Sequence, residues 1–311
     1  QGNLFGITGG EGTGKSNYVA AIVAGCICPA GADIDTLGIQ ITANGRHKAV
    51  LLYDTEQSEV QLFKNVSNLL ARAKQPDKPD ELKAFCLTGM SRKERLNAIV
   101  QSMDKFYYQY GGIQLVVIDG IADLVKSAND EAESVAVIDE LYRLAGIYNT
   151  CILCVLHFVP NGLKLRGHLG SELQRKAATI LSIEKDEEPT QSVVKALKVR
   201  DGSPLDVPLM LFAWDKEAGM HVYKGEKPRE EKEKRKEREL VNVAHDIFGR
   251  QTRITYIDLC EQLQQVLDIK ERTAKSYIRF MRERDIITKD TANQSCFVIG
   301  SYNLQRNASC P

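Results

Sequence analysis

Short apolar runs punctuate the chain upstream of residue 225: NLFGIT at 3–8, AVLLYD at 49–54, AFCLTG at 84–89, IQLVVID at 113–119, CILCVLH at 151–157, ATILSIE at 178–184, SVVKALKV at 192–199 and VPLMLFAW at 207–214. Their length and composition predict strands. Between the earlier runs, apolar positions recur at helical spacing over 15–25, 57–73, 92–109 and 132–147. Strand and helix therefore alternate, which predicts an α/β unit whose mostly parallel sheet is covered by helices. The later connections KDEEPTQ and DGSPLD are too short for crossover helices, so the strands from 178 to 223 are expected to pair antiparallel at one edge.

Charge adds a division. The chain of 311 residues has formal net charge zero, but residues 226–239, EKPREEKEKRKERE, are charged at 13 of 14 positions with both signs interleaved. Pairs such as Glu230/Lys234 and Glu231/Arg235 have i,i+4 spacing, which suits a solvated helix. The expected organisation is a domain over 1–225, a charged helical linker over 226–239 and a small domain over 240–311, the last mildly basic with 10 Lys/Arg against 8 Asp/Glu. No apolar run approaches the roughly 20 residues of a membrane span, and no basic and apolar leader opens the chain, so the expectation is a cytoplasmic protein without a membrane partner. Cys151 and Cys154 form a lone C-x-x-C inside an apolar run. On a strand they face opposite ways, and they are read as inert thiols.

The chemistry starts at GGEGTGKSN. Gly9, Gly10, Glu11, Gly12, Thr13, Gly14, Lys15 and Ser16 fit G-x-x-x-x-G-K-[ST] between a strand and a helix, and Asn17 follows. Bare backbone N–H groups and a helix N-terminus suit the phosphates of ATP, Lys15 the β- and γ-phosphates, and Ser16 a Mg²⁺ ion. In a parallel sheet ligands lie beyond the carboxyl ends of the strands, where three more polar residues stand. Asp119 closes LVVID and suits Mg²⁺ through water, Glu56 follows AVLLYD by two residues and suits the attacking water, and His157 ends CILCVLH and suits a γ-phosphate sensor. Singly, Glu56 also reads as a first-turn helix acid and His157 as a hydrogen-bonded core histidine.

Together with LVVIDGIADL, VLHFVPN, RGHLGSELQRKA and ALKVRDGSP, these stretches resemble the motifs of RecA-like P-loop ATPases, and within them the hexameric helicases of the plasmid RepA and bacterial DnaB types. The resemblance spans about residues 3 to 215. It implies that Glu56 is the catalytic base and that Lys198 and Arg200, in K-x-R-x-G, serve a neighbouring subunit's ATP as an arginine finger. Their other reading is an edge strand with protective basic residues. It also implies that 161–177 is a loop facing a central channel, with Lys164, Arg166 and His168 touching single-stranded DNA. DnaB-type proteins usually carry glutamine where this chain has His157, which is nearer the RepA pattern.

The C-terminal pattern predicts helices at 239–249, 255–267 and 270–285, then a hairpin of IITKD and SCFVIG across TANQ. That order resembles a winged helix-turn-helix, whose third helix would bury Ala274, Tyr277, Ile278 and Met281 and offer Arg272, Lys275, Arg279 and Arg282 to duplex DNA. Winged helices also mediate protein contacts. The expectation is an oligomeric ATP-driven DNA motor of a plasmid, phage or mobile element, with a hexamer as one candidate assembly, set against an ATP-dependent DNA-binding switch that does not unwind. The chain opens on Gln1 at its first strand, hence the expectation that a longer protein contains it.

Overall fold

The computed structural model describes residues 2–157, 167–186, 188–227, 232–249, 251–291 and 293–301, in two compact units, Gln1–Arg229 and Glu230–Pro311. The first unit runs β1 (Asn3–Gly9), α1 (Lys15–Ile27), β2 (Ala49–Asp54), α2 (Glu59–Arg72), β3 (Leu82–Cys86), α3 (Arg92–Tyr110), β4 (Ile113–Asp119), α4 (Glu131–Ile147), β5 (Cys151–His157), α5 (Gly167–Lys176), β6 (Thr179–Lys185), β7 (Gln191–Val199), β8 (Leu209–Asp215) and β9 (Met220–Lys227). These strands form one sheet in the order β3-β2-β4-β5-β1-β6-β7-β8-β9. From β3 to β6 every pairing is parallel, and from β6 to β9 every pairing is antiparallel. This is an α/β arrangement of a mostly parallel sheet with antiparallel edge strands.

The period of two in each strand explains why both faces carry helices. In β4, Val116 and Ile118 join a core built with α3, α4 and α5, while Leu115 and Val117 join the opposite core under α1 and α2. The strand is buried on both sides and reads as an unbroken apolar run. Residues 28–48 have no regular structure but are pinned: Leu37 is fully buried, Arg72 donates to the carbonyls of Asp35 (2.8 Å) and His221 (2.6 Å), and the Tyr223 N–H donates to Asp35 Oδ2 (2.7 Å).

Two expectations need correction within this unit. The strands from 178 to 223 pair antiparallel with one another as expected, but the segment expected to be a loop at 161–177 contains the helix α5, whose crossover lets β6 also pair parallel with β1. Leu169 and Leu173 are fully buried in the core under α4, at the i,i+4 spacing that a helix rewards. The other strand expected at 84–89 starts earlier and stops at Cys86.

The second unit runs α6 (Lys232–Phe248), β10 (Ile254–Thr255), α7 (Tyr256–Leu267), α8 (Glu271–Glu283), β11 (Ile287–Lys289) and β12 (Cys296–Ile299), with an antiparallel sheet in the order β10-β12-β11. Its core gathers Leu240, Ala244, Leu259, Leu263, Ile278 and Phe297. The charged stretch 226–239 is divided and is not a separate linker: β9 runs through Lys227, and α6 continues without a break from Lys232 into the buried positions Leu240, Val243, Ala244 and Ile247. Nothing between 232 and 248 breaks a helix, so the charged turns and the core-facing turns are one element. Among the described residues, no helix is long and apolar enough to cross a membrane.

Candidate nucleotide site

Parallel pairing places the carboxyl ends of β2, β4, β5 and β1 side by side. In register, Asp54 lies opposite Asp119 and His157 opposite Gly9, so the four strand ends form one edge on which Lys15, Glu56, Asp119 and His157 meet. The side chains sense one another: Asp119, Glu56 and Glu11 raise the ammonium pKa of Lys15, although burial outweighs them and lowers it on balance.

The loop between β1 and α1 leads into a helix end that no side chain caps. Ser58, Ser91 and Asp130 cap α2, α3 and α4 with their side chains. By contrast α1 starts after Gly14, with no side-chain cap and no acid in its first turn. Gly14 has φ +95°, and a Cβ there would meet the Phe212 ring at 2.8 Å, so only glycine allows this close approach. Lys15 is buried at 8% exposure, and its ammonium donates to the carbonyls of Gly9 (3.1 Å) and Gly10 (2.6 Å). Thr13 Oγ1 donates to the Gly10 carbonyl (2.9 Å). Ser16 and Glu11 are exposed, and Asn17 is half-buried. An uncapped helix start, a cation folded over its own loop and an exposed hydroxyl are a donor set that fits the phosphates of ATP with Mg²⁺.

Opposite the loop stand three carboxylates. Burial is the main reason that the Asp119 carboxyl is pushed up to about 7, with Asp54 and Glu56 adding to it and Lys15 and His157 opposing. Glu56 shifts the other way. A contact of 3.5 Å from His157 Nε2 to its Oε2 holds it below the usual carboxylate range, burial opposes, and Lys15 adds a smaller lowering. Both side chains stay about one-third exposed, open to water.

Asp54 escaped the sequence reading. It is 2% exposed, and its Oδ1 accepts the N–H groups of Glu56 (3.0 Å) and Gln57 (2.8 Å), an Asx turn that sets the direction of Glu56. Thr55 Oγ1 lies within reach of the carbonyls of Asp119 (3.0 Å) and Gly120 (2.8 Å), tying β2 to β4. Gly120 leaves the space: a Cβ there would meet Glu56 Cγ at 2.7 Å. The available signal was an aspartate closing an apolar run two residues before a glutamate, in YDTE.

Lys198 and Arg200 lie elsewhere. β7 runs antiparallel to β6, so its end returns to the beginning of the parallel strands: the Arg200 N–H donates to Ala178 O, and the Ala178 N–H donates to Leu4 O. That level is five residues, roughly 16 Å, along β1 from Gly9. Lys198 Nζ donates to the carbonyls of Gln174 (2.6 Å) and Arg175 (3.1 Å), and Arg200 to that of Lys176 (2.7 Å) and to Asn3 Oδ1 (3.3 Å). Both cations therefore sit on the C-terminal carbonyls of α5. Of the candidate strand contacts, His168 is exposed in the first turn of α5, and Lys164 and Arg166 lie outside the described residues.

In the second unit α8 buries Ala274, Ile278 and Met281, while Tyr277 is only partly buried. Arg272, Lys275, Arg279 and Arg282 are exposed. Lys275 pairs with Glu271 (2.6 Å) and Arg279 with Glu283 (2.8 Å), and Arg282 lies over the Phe297 ring at 5.9 Å.

A family model described as AAA domain matches residues 1–161. No curated protein matches the chain. Among solved structures, a KaiC-like protein from the hyperthermophilic archaeon Pyrococcus horikoshii OT3 is similar at 12% identity and TM-score 0.49, over 72% of this chain and 90% of that one.

Proposed function

The chain belongs to the AAA domain family of P-loop ATPases, and from that premise we propose that it is an ATP-hydrolysing motor on DNA, of the replicative-helicase type carried by plasmids, phages or mobile elements. The observation that carries the ATPase part is the meeting of Lys15, Glu56, Asp119 and His157 at four adjacent strand ends, beside the one helix of the first four that lacks a side-chain cap.

Gly9 to Asn17 and the start of α1 would hold the phosphates, and Ser16 and Asp119 would hold Mg²⁺. Bound together, nucleotide and metal supply a terminal phosphoryl group polarised for attack by water. Lys15 would leave the carbonyls of Gly9 and Gly10 for the phosphate oxygens, which are stronger acceptors for its charge. Glu56, kept ionised by His157, would orient the water and take its proton on the carboxylate. Asp54 holds the backbone of Glu56 in place for that role. His157 Nε2, beside Gly9 in register, would couple the carboxylate to the phosphate end. Lys198 and Arg200 stand too far from their own loop to reach its phosphates, which supports service to the ATP of another copy, in a homo-oligomer such as a hexamer.

The order helix, strand, two helices and two strands in the second unit supports a winged helix, with α8 offering its exposed cations to a duplex. Turnover measured with and without single-stranded DNA, alongside solution mass, tests the reading. Sharp stimulation in an oligomer is expected. Unstimulated turnover with tight duplex binding would favour an ATP-dependent DNA-binding switch.

A further inference from the structure

A cavity of about 630 Å³ opens at the ends of β3 and β4, lined by Ser91, Arg92, Lys93, Arg95, Asp123 and Lys126 among others. None of its lining comes from the loop at Gly9–Asn17. Arg95 braces its walls: the guanidinium donates to the carbonyls of Leu87 (3.1 Å), Thr88 (3.3 Å), Met90 (3.0 Å) and Asp123 (3.4 Å) and pairs with Asp123 Oδ2 at 3.4 Å. The acid of the cavity is thus already matched. Arg92, Lys93 and Lys126 are exposed, and among the described residues their side chains make no hydrogen bond or ion pair. The start of α3 is also closed, since Ser91 and Glu94 cap it reciprocally. Any attraction for an anion here comes from three convergent, unmatched side-chain cations on a braced rim.

We propose that this cavity is a contact site for consecutive backbone phosphates of a single-stranded nucleic acid. The inference rests on the DNA reading above and deepens it. The volume exceeds the needs of one phosphate and falls in the range of ligand sites, yet no aromatic residue lines it, so it offers nothing on which a base would stack. What it recognises is the repeated charge of a phosphodiester chain. Continuity with the neighbouring strand end supports this. Lys126 belongs to the segment that follows β4, and two residues on, the Ala128 carbonyl accepts the Leu169 N–H (3.0 Å) at the start of α5. A Cβ on Gly167 would collide with Ala128 and Asn129. The basic cavity and exposed His168 are therefore carried by two segments locked to each other, which would place a strand against both.

The test is equilibrium binding of a fluorescein-labelled oligothymidylate, by anisotropy across a salt series, to the wild type and to the triple variant Arg92→Ala, Lys93→Ala, Lys126→Ala. Each phosphate contact on a single strand contributes about 0.7 to the slope of log K against log salt, so the triple variant should lose about 2 from that slope and bind about fifty-fold more weakly at roughly 0.15 M salt. Each single variant should lose about 0.7 from the slope. A charge-conserving variant, Arg92→Lys, Lys93→Arg, Lys126→Arg, should keep the wild-type slope, which separates loss of charge from loss of folding. Binding of a fluorescent ATP analogue should not change. A triple variant with the wild-type slope and affinity overturns the assignment. A wild type that binds no oligothymidylate overturns the DNA reading itself, and the two failures are told apart by the wild-type curve alone.

Discussion

The parallel half of the sheet and its antiparallel edge treat their charged residues in opposite ways. At the carboxyl ends of β2, β4, β5 and β1, Lys15, Glu56, Asp119 and His157 crowd together, and the Asp119 carboxyl is pushed up to about 7 by burial and by like charge. On β7, Lys198 and Arg200 rest on the carbonyls at the end of α5, a position that favours cations. Parallel strands bring every carboxyl end to one edge, so polar residues there must meet. Antiparallel strands alternate, and the same kind of residue is sent to the far side. One region crowds its charges together at a strand edge, and the other rests its cations on helix-end carbonyls.

Lys15→Ala should break that contrast most strongly. Without the only ammonium on the loop, binding of a fluorescent ATP analogue should be lost and hydrolysis should fall by about a thousandfold or more, as when a preorganised electrostatic donor is removed. Turnover near the wild-type rate would show that the strand-end cluster is not the site.

Arg200→Ala examines the second region. If its cation also serves another copy, hydrolysis should drop on the order of 10³-fold with ATP binding unchanged. Mixing with Lys15→Ala subunits should then restore part of the activity, because some interfaces pair an intact loop with an intact arginine. If the residue only caps α5, the melting temperature should fall by a few degrees, from about 1 kcal/mol or less, with turnover preserved.

Glu56→Gln should reduce hydrolysis by about a hundredfold to a thousandfold and leave ATP·Mg²⁺ affinity within a few-fold of wild type. Equal loss of affinity and turnover, read by titration and steady-state rates, would mark Glu56 as structural.

The smallest effect concerns the crowding itself. Since the carboxyl of Asp119 is raised from 3.8 to about 7, the folded chain keeps a proton that the unfolded chain has released. The stability from this group is present below pH 4 and is lost as pH rises through 7. Asp119→Asn should therefore melt a few degrees higher than wild type at pH 8 without nucleotide or Mg²⁺, with the gap changing as pH is lowered toward 5. A difference independent of pH, by calorimetry, would remove the charge argument.

Much of this contrast was legible beforehand, for physical reasons that differ by residue. The loop at Gly9–Ser16 announces itself because its backbone needs are local, and Asp119 and His157 are visible because they end apolar runs. Asp54 ends an apolar run as well, but its role, accepting two backbone N–H groups within the turn that follows it, is marked by neither residue type nor spacing. All of α5 reads as loop in the sequence because glycines and polar residues hide the two leucines that seat it. The charged stretch looked separate because its composition changes abruptly at Leu240, although the backbone of α6 does not.

By itself, the sequence determined the alternation of strands and helices, the uncapped start of α1 and which residues stand at strand ends, since each depends on neighbours within a few positions along the chain. Only the tertiary structure decided that Asp54 lies level with Asp119, that β6 joins the parallel set, and that Lys198 and Arg200 return to the far end of the sheet onto α5. Those outcomes depend on strand order and register, which are settled by pairing between residues distant in sequence and by the burial of both faces of the sheet at once.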